Sequence, residues 1–276
     1  MSMMLPTNQK KSKLSKTISF FELCYHSIVR NVRKGHSNAV QGLIMDVLQN
    51  LLLVVFFALF ISILGMRSVA VRGNFILYVM TGVFLYLSHV KVMGAVRTAA
   101  SPTDTMLKHA PVTMLLNVIS ASFSALYIQI LSMAVLLFAT HVWLEPVTFY
   151  SLKGVVLCFF LAWLFGIAMG VLFSSIGIFF PKPMTIITTA YTRMNMIFSG
   201  KMMLANSIRP ALLPWFTWNP LFHIIDQARG NAFINYVPRN TNLTYVWVVL
   251  LIALVLGFMI DHWARKYASQ SWNARR

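Results

Sequence analysis

Long apolar runs separated by short polar connections dominate this chain. Mostly apolar side chains fill residues 43–65, 74–93, 112–140, 152–180, 184–204 and 243–262. About 20 such residues carry a helix across a hydrocarbon core of roughly 30 Å. None of the runs alternates like a lipid-facing barrel strand, and inside a bilayer the backbone must satisfy its own polar groups, so helices are the expected elements. The pattern therefore predicts an all-α integral membrane protein with six transmembrane helices. The fourth run carries glycines at which it can kink, and the fifth is the least apolar.

Between the runs, three segments have a pattern of their own. Over residues 17–34, Ile18, Phe21, Tyr25, Ile28 and Val32 recur at helical spacing while Glu22, His26, Arg30 and Arg33 fall largely on the other side. This predicts an amphipathic interfacial helix on the inner leaflet, with a soluble helix docked on a partner as the alternative. In the second connection, Ser101 caps, Pro102 takes the first helical position, Asp104 follows three residues after the cap and Pro111 blocks continuation. A short cytosolic helix over residues 102–109 follows. Before the last run, Pro210, Pro214, Trp215, Phe216, Trp218 and Pro220 make a segment too aromatic for free solvation and too broken to span. Asn219 and Pro220 then open a helix reaching about Ala232, with Leu221, Ile224, Ile225 and Ala228 on one stripe and Asp226 and Arg229 spaced to pair. Such a helix either dips into the membrane and returns or lies in the outer leaflet, and either arrangement can cover a channel exit. The organisation expected is a cytosolic arm (residues 1–42), a six-helix membrane domain (43–263) and a cytosolic tail (264–276).

Composition sharpens this picture. Hydrophobic residues make up 58% of the 276, against six carboxylates, which is too little charge for a soluble surface. The net charge of +17 comes from cations scattered beside the apolar runs, where they meet anionic headgroups; no basic face for nucleic acid is formed. Seven Lys and Arg precede the first run, and Lys91, Arg97, Lys108, Lys182, Arg265, Lys266, Arg275 and Arg276 fall on the same side. The other side holds Arg67, Arg72, Lys153, Lys201, Arg209, Arg229 and Arg239, so both termini are expected in the cytoplasm. Cys24 and Cys158 lie too far apart in this topology to form a disulfide. The first seventeen residues are polar and basic with no cleavable apolar region behind them, so no signal peptide is expected.

Candidate chemistry lies on three of the runs. Phe75, Tyr78, Gly82, Tyr86, His89 and Met93 share a face of the second, and Gln49, Phe56 and Phe60 share a face of the first. Thr188, Tyr191, Thr192, Asn195 and Ser199 form a polar stripe on the fifth. Three runs thus offer wet or aromatic stripes. Ordinary helix packing and hydroxyls bonding back to their own helix account for the same residues. Arg193 lies in mid-run on roughly the opposite side from Asn195 and must face protein, water or an anion. Asp46 can pair with Arg193, Lys91 or Arg97, or snorkel to the interface. Gly166, Gly170 and Ser174 repeat a small-residue spacing that admits a close helix neighbour, in this chain or another copy.

Several classes are disfavoured. Gly200-Lys201 lacks the earlier glycine and later hydroxyl of a phosphate-binding loop, so any ATP-driven motor is on another chain. His223, Asp226 and Arg229 share a helix, but no second acid, nucleophile or metal-type cluster joins them, and no catalytic or metal residue is assigned. No internal repeat points to an ion-coupled carrier.

The stretch Trp215-Phe-Thr-Trp-Asn-Pro-Leu-Phe-His-Ile-Ile-Asp-Gln-Ala-Arg229 resembles the Asn-Pro-Leu-x-His segment of type-2 ABC exporter permeases, and within them the capsular polysaccharide and O-antigen branch. Ser101-Pro-Thr-Asp-Thr-Met-Leu107 is similar to that family's coupling helix, although Ser101 stands where a basic residue is usual. The family's Arg-Glu and Arg-Phe pairs are absent from the arm. The resemblance implies a homodimer in a bacterial inner membrane, clasped by two copies of a nucleotide-binding ATPase that alone holds ATP and Mg. Lipid-linked polysaccharide is the implied cargo, with envelope export proteins beyond. On this reading Ser101, Pro102, Asp104, Met106 and Leu107 receive the ATPase, and Gln49, Phe56, Phe60, Tyr78, Tyr86, His89, Thr188, Tyr191, Arg193 and Asn195 face the pathway. Trp215, Trp218, Asn219, Pro220, His223, Asp226 and Arg229 then form the outer gate. The alternatives are a membrane enzyme acting on lipid-linked sugars, or an exporter of the same type for a lipid or drug.

Overall fold

The computed structural model describes residues 13–33, 39–63, 65, 73–100 and 114–273. Every regular element among them is helical: α1 (Lys13–Arg33), α2 (Ala39–Ile63), α3 (Phe75–Ala99), α4 (Met114–Trp143), α5 (Leu152–Gly177), α6 (Pro181–Phe198), α7 (Pro214–Thr217), α8 (Pro220–Ala232) and α9 (Leu243–Asn273), with a 3-10 turn at Ala205–Ser207. Five helices, α2, α3, α4, α5 and α9, are long and apolar enough to cross a bilayer, which makes this a multi-pass membrane protein. The segment 102–109, with Ser101, Pro102, Asp104, Met106 and Leu107, lies outside the described residues.

The helix ends follow local chemistry. Asn74 caps α3 by accepting the Leu77 amide at 2.9 Å, and Ser151 caps α5 through the Gly154 amide. α3 runs six residues past the expected end at Met93, and α5 is one continuous helix through its glycines.

The run expected over residues 184–204 takes a different form. Its helix, α6, spans 18 residues, about 27 Å at 1.5 Å per residue, and ends at Phe198. Gly200 stops it: its φ of 68° suits glycine, and a Cβ there would meet the Phe222 ring at 2.4 Å. Met202, Met203 and Leu204 prolong the apolar pattern without prolonging the helix.

α3 is the buried centre of the bundle. It packs most extensively on α5, then on α4, while α9 covers another side of α5. The α3–α5 seam is close because glycines line it: a Cβ on Gly166 would lie 2.7 Å from the His89 carbonyl oxygen, and one on Gly170 would lie 2.9 Å from that of Met93. The small-residue spacing thus serves a contact within one chain. α2 and α9 are peripheral and present many apolar side chains outward, as helices facing lipid or another chain do. α1 packs mainly along α4, burying Cys24 and Ser27 and leaving Phe21 and Tyr25 exposed. The short helix α8 is buried along most of its length against α5, α3 and α9.

Candidate functional site

The densest polar chemistry lies where α6 stops and α8 packs into the bundle. Residues 199–203 turn around the Arg229 side chain, which is 0% exposed. Its guanidinium donates to the carbonyls of Gly200 at 2.8 Å, Met203 at 2.5 Å and Lys201, and it lies 4.1 Å above the Tyr78 ring. A planar fork with several donors suits three converging carbonyls in a way that a lysine does not. Tyr78 adds a bond from its hydroxyl to the Met202 carbonyl at 3.0 Å. Gly82 lets α3 pass, since a Cβ there would lie 2.6 Å from the Lys201 carbonyl oxygen.

Asp226 and Arg229, spaced to pair, do not bond to each other. The reason is that each finds better-placed partners. Asp226 accepts from the Ala205 amide at 3.1 Å, the Tyr236 hydroxyl at 2.5 Å and the Thr241 hydroxyl at 2.8 Å, which ties α8 to the loops on both sides. Burial and the Asp226 carboxylate push the Tyr236 phenol above its usual range.

His223 has a defined tautomer. Its Nε2 lies 2.8 Å from the Thr217 carbonyl, which can only accept, so Nε2 carries the hydrogen. Its Nδ1 then accepts the Asn242 amide at 2.9 Å. Burial lowers the pKa of this imidazole below the ordinary histidine value, outweighing the Thr217 carbonyl and the Asp226 charge. Asn219 caps α8 by accepting the Leu221 amide and donates to the Asn195 side chain at 2.9 Å and the Phe198 carbonyl at 3.0 Å. Of the residues expected at an outer gate, Asn219, Pro220, His223, Asp226 and Arg229 are therefore a buried framework, while Trp215 and Trp218 are exposed at its edge.

The stripes of α3 and α6 face each other. Tyr86 donates to the Thr192 carbonyl at 3.3 Å, and His89 Nε2 lies 3.0 Å from the Tyr191 hydroxyl. His89 also stacks on Phe165 of α5 with centroids 4.8 Å apart. Asn195 bonds back to the Tyr191 carbonyl, and Thr188 to that of Met184. Gln49, Phe56 and Phe60 are elsewhere, exposed on the outer face of α2 with the two rings stacked at 6.1 Å. Arg193 is exposed on α6. Among the partners open to Asp46, Lys91 takes it at 2.8 Å and also reaches Asn50 at 3.0 Å, while Arg97 bonds Thr185.

Lys201 is not among the residues that the sequence assigns to the pathway or the gate. It is 2% exposed, with Nζ 3.6 Å from the Tyr86 centroid and 4.2 Å from that of Phe57, and it has no hydrogen-bond acceptor. Its one sequence signal is a cation directly after Ser199-Gly200, the second in its run after Arg193. Tyr236 and Thr241, the partners of Asp226, had no signal at all. Among the described residues no group of three or more His, Cys, Asp or Glu could hold a metal ion. Set against known protein families and characterised proteins, the sequence matches none.

Proposed function

We propose that this chain is the transmembrane subunit of an ATP-driven exporter that moves lipid-linked polysaccharide across a bacterial inner membrane, working as a homodimer with two copies of a separate ATPase. α6 serves as a sixth span, α8 and the aromatic loop before it form the outer gate, and both termini are cytoplasmic. The observation that carries the reading is Arg193. It stands exposed on α6, thirteenth of 18 residues, where a single copy would offer it to lipid. A cation at that depth is costly unless it faces water or protein. A second copy enclosing a wet conduit meets that need, and Gln49, Phe56 and Phe60, also turned outward, provide a polar and aromatic wall of the kind a sugar chain requires.

The test uses the native cells. Replacing Arg193 with Gln at its chromosomal position is expected to reduce surface polysaccharide severalfold, with unchanged membrane levels of the chain and lipid-linked glycan accumulating on the cytoplasmic side. Normal surface polymer in cells depleted of the chain altogether would refute the function. Normal export by R193Q alone would remove Arg193 from the conduit.

A further inference from the structure

We propose that the Lys201 ammonium is an oxyanion-binding group, engaged by a phosphate-class anion that enters between α2 and α3. The proposal goes beyond the exporter reading and does not depend on it. Lys201 Nζ sits against Tyr86, the twelfth of 25 residues in α3 and roughly 16 Å along it, about half the thickness of a hydrocarbon core. A buried ammonium at that depth carries a large desolvation cost, which proteins ordinarily offset with a carboxylate and hydrogen bonds. Here neither is supplied.

Asp226 gives its oxygens to Ala205, Tyr236 and Thr241, and Asp46 is taken by Lys91. Arg229, the neighbouring cation, uses the Lys201 carbonyl itself. The carbonyls around Arg229 are thus occupied in holding the turn. The Ser199 hydroxyl, two residues before Lys201, is also buried without a partner. Faces of aromatic rings hold an ammonium weakly in comparison with a charged oxygen. An oxyanion therefore displaces them at a gain.

Access runs past α2. Phe57 is the ring that closes Lys201 on that side, and the adjacent Phe56 and Phe60 already face outward. α2 is one of the two least buried spans, so its displacement exposes the ammonium without disturbing the α3–α5 seam.

The experiment compares the full-length chain, K201M and K201R in phosphatidylcholine nanodiscs, by thermal melting. The probes are a polyprenyl phosphate, the matching polyprenol, phosphatidylglycerol and inorganic phosphate in solution. Met keeps the volume and the backbone carbonyl that Arg229 uses, but removes the unpaired charge. K201M is expected to melt at a higher temperature than wild type without ligand, and to bind the phosphate probe about tenfold more weakly or worse, while K201R retains binding. A response to polyprenyl phosphate and not to free phosphate identifies a lipid source; a response to both identifies a general oxyanion site. Wild type that ignores every phosphate probe, or K201M that binds them as wild type does, would overturn the proposal. So would K201M melting below wild type, which would make Lys201 a structural cation.

Discussion

Arg229→Lys is the substitution that most directly tests how α8 is held. The wild-type guanidinium serves three carbonyls from one turn; those of Gly200 and Lys201 are buried and that of Met203 is half-buried. A lysine ammonium keeps the charge but lacks the planar fork, so it can satisfy one or two of these carbonyls and loses the guanidinium's place over the Tyr78 ring. A buried acceptor left without a donor costs about 1–3 kcal/mol. With one or two acceptors orphaned, the expected loss for R229K is about 2–4 kcal/mol, and for Arg229→Ala about 3–5 kcal/mol, near the value for breaking a buried charged pair. At roughly 2–4 °C per kcal/mol for a chain of this size class, R229K should melt about 5–15 °C below wild type. Fluorescence-detected melting of the purified chain in one detergent measures this. An R229K that melts within about 1 °C of wild type would refute the reasoning, since the fork could not then be what holds the turn.

Two further outcomes follow from features of the fold. His223 is neutral in the folded state and its pKa is depressed there, so the unfolded chain takes up the proton first as pH falls. Its contribution to stability is complete above the unfolded value of about 6.5 and is lost as pH falls from there through the folded pKa. Melting temperature measured from pH 7.5 to 5 should therefore drop more for wild type than for His223→Gln, and parallel curves would contradict the assignment. Gly170→Ala places a methyl 2.8 Å from Val96 Cβ and 2.9 Å from the Met93 carbonyl oxygen. Overpacking of this kind costs about 1–3 kcal/mol, so a melting point several degrees lower is expected, and an unchanged one would mean that the seam is looser than these distances.

Much of the architecture is legible in the residues because bilayer burial writes a simple code. Runs of apolar side chains place α2, α3, α4, α5 and α9, and Asn219-Pro220 places the start of α8 by cap and proline chemistry. The cap at Asn74 is seen only in the structure, although the apolar run starts at the same residue. The interior of the junction is not written so plainly. Arg229 bonds carbonyls 26 to 29 residues away, and a carbonyl looks the same on every residue. The i,i+3 spacing of Asp226 and Arg229 suggests a local pair, yet both side chains take tertiary partners that periodicity cannot display. Helical wheels place Tyr86, His89 and Tyr191 on shared faces but do not say whether a face meets a lumen or another helix. The stop at Gly200 is masked because methionines continue the apolar pattern beyond it.

The glycine-lined contact between α3 and α5 has a mechanical meaning. Two backbones this near each other cannot roll or slide without collision, so the pair behaves as a keel. Whatever motion accompanies the work of this chain must then be taken up by its flank α2, which packs far less on its neighbours than α9 does on α5 and can shift at smaller cost.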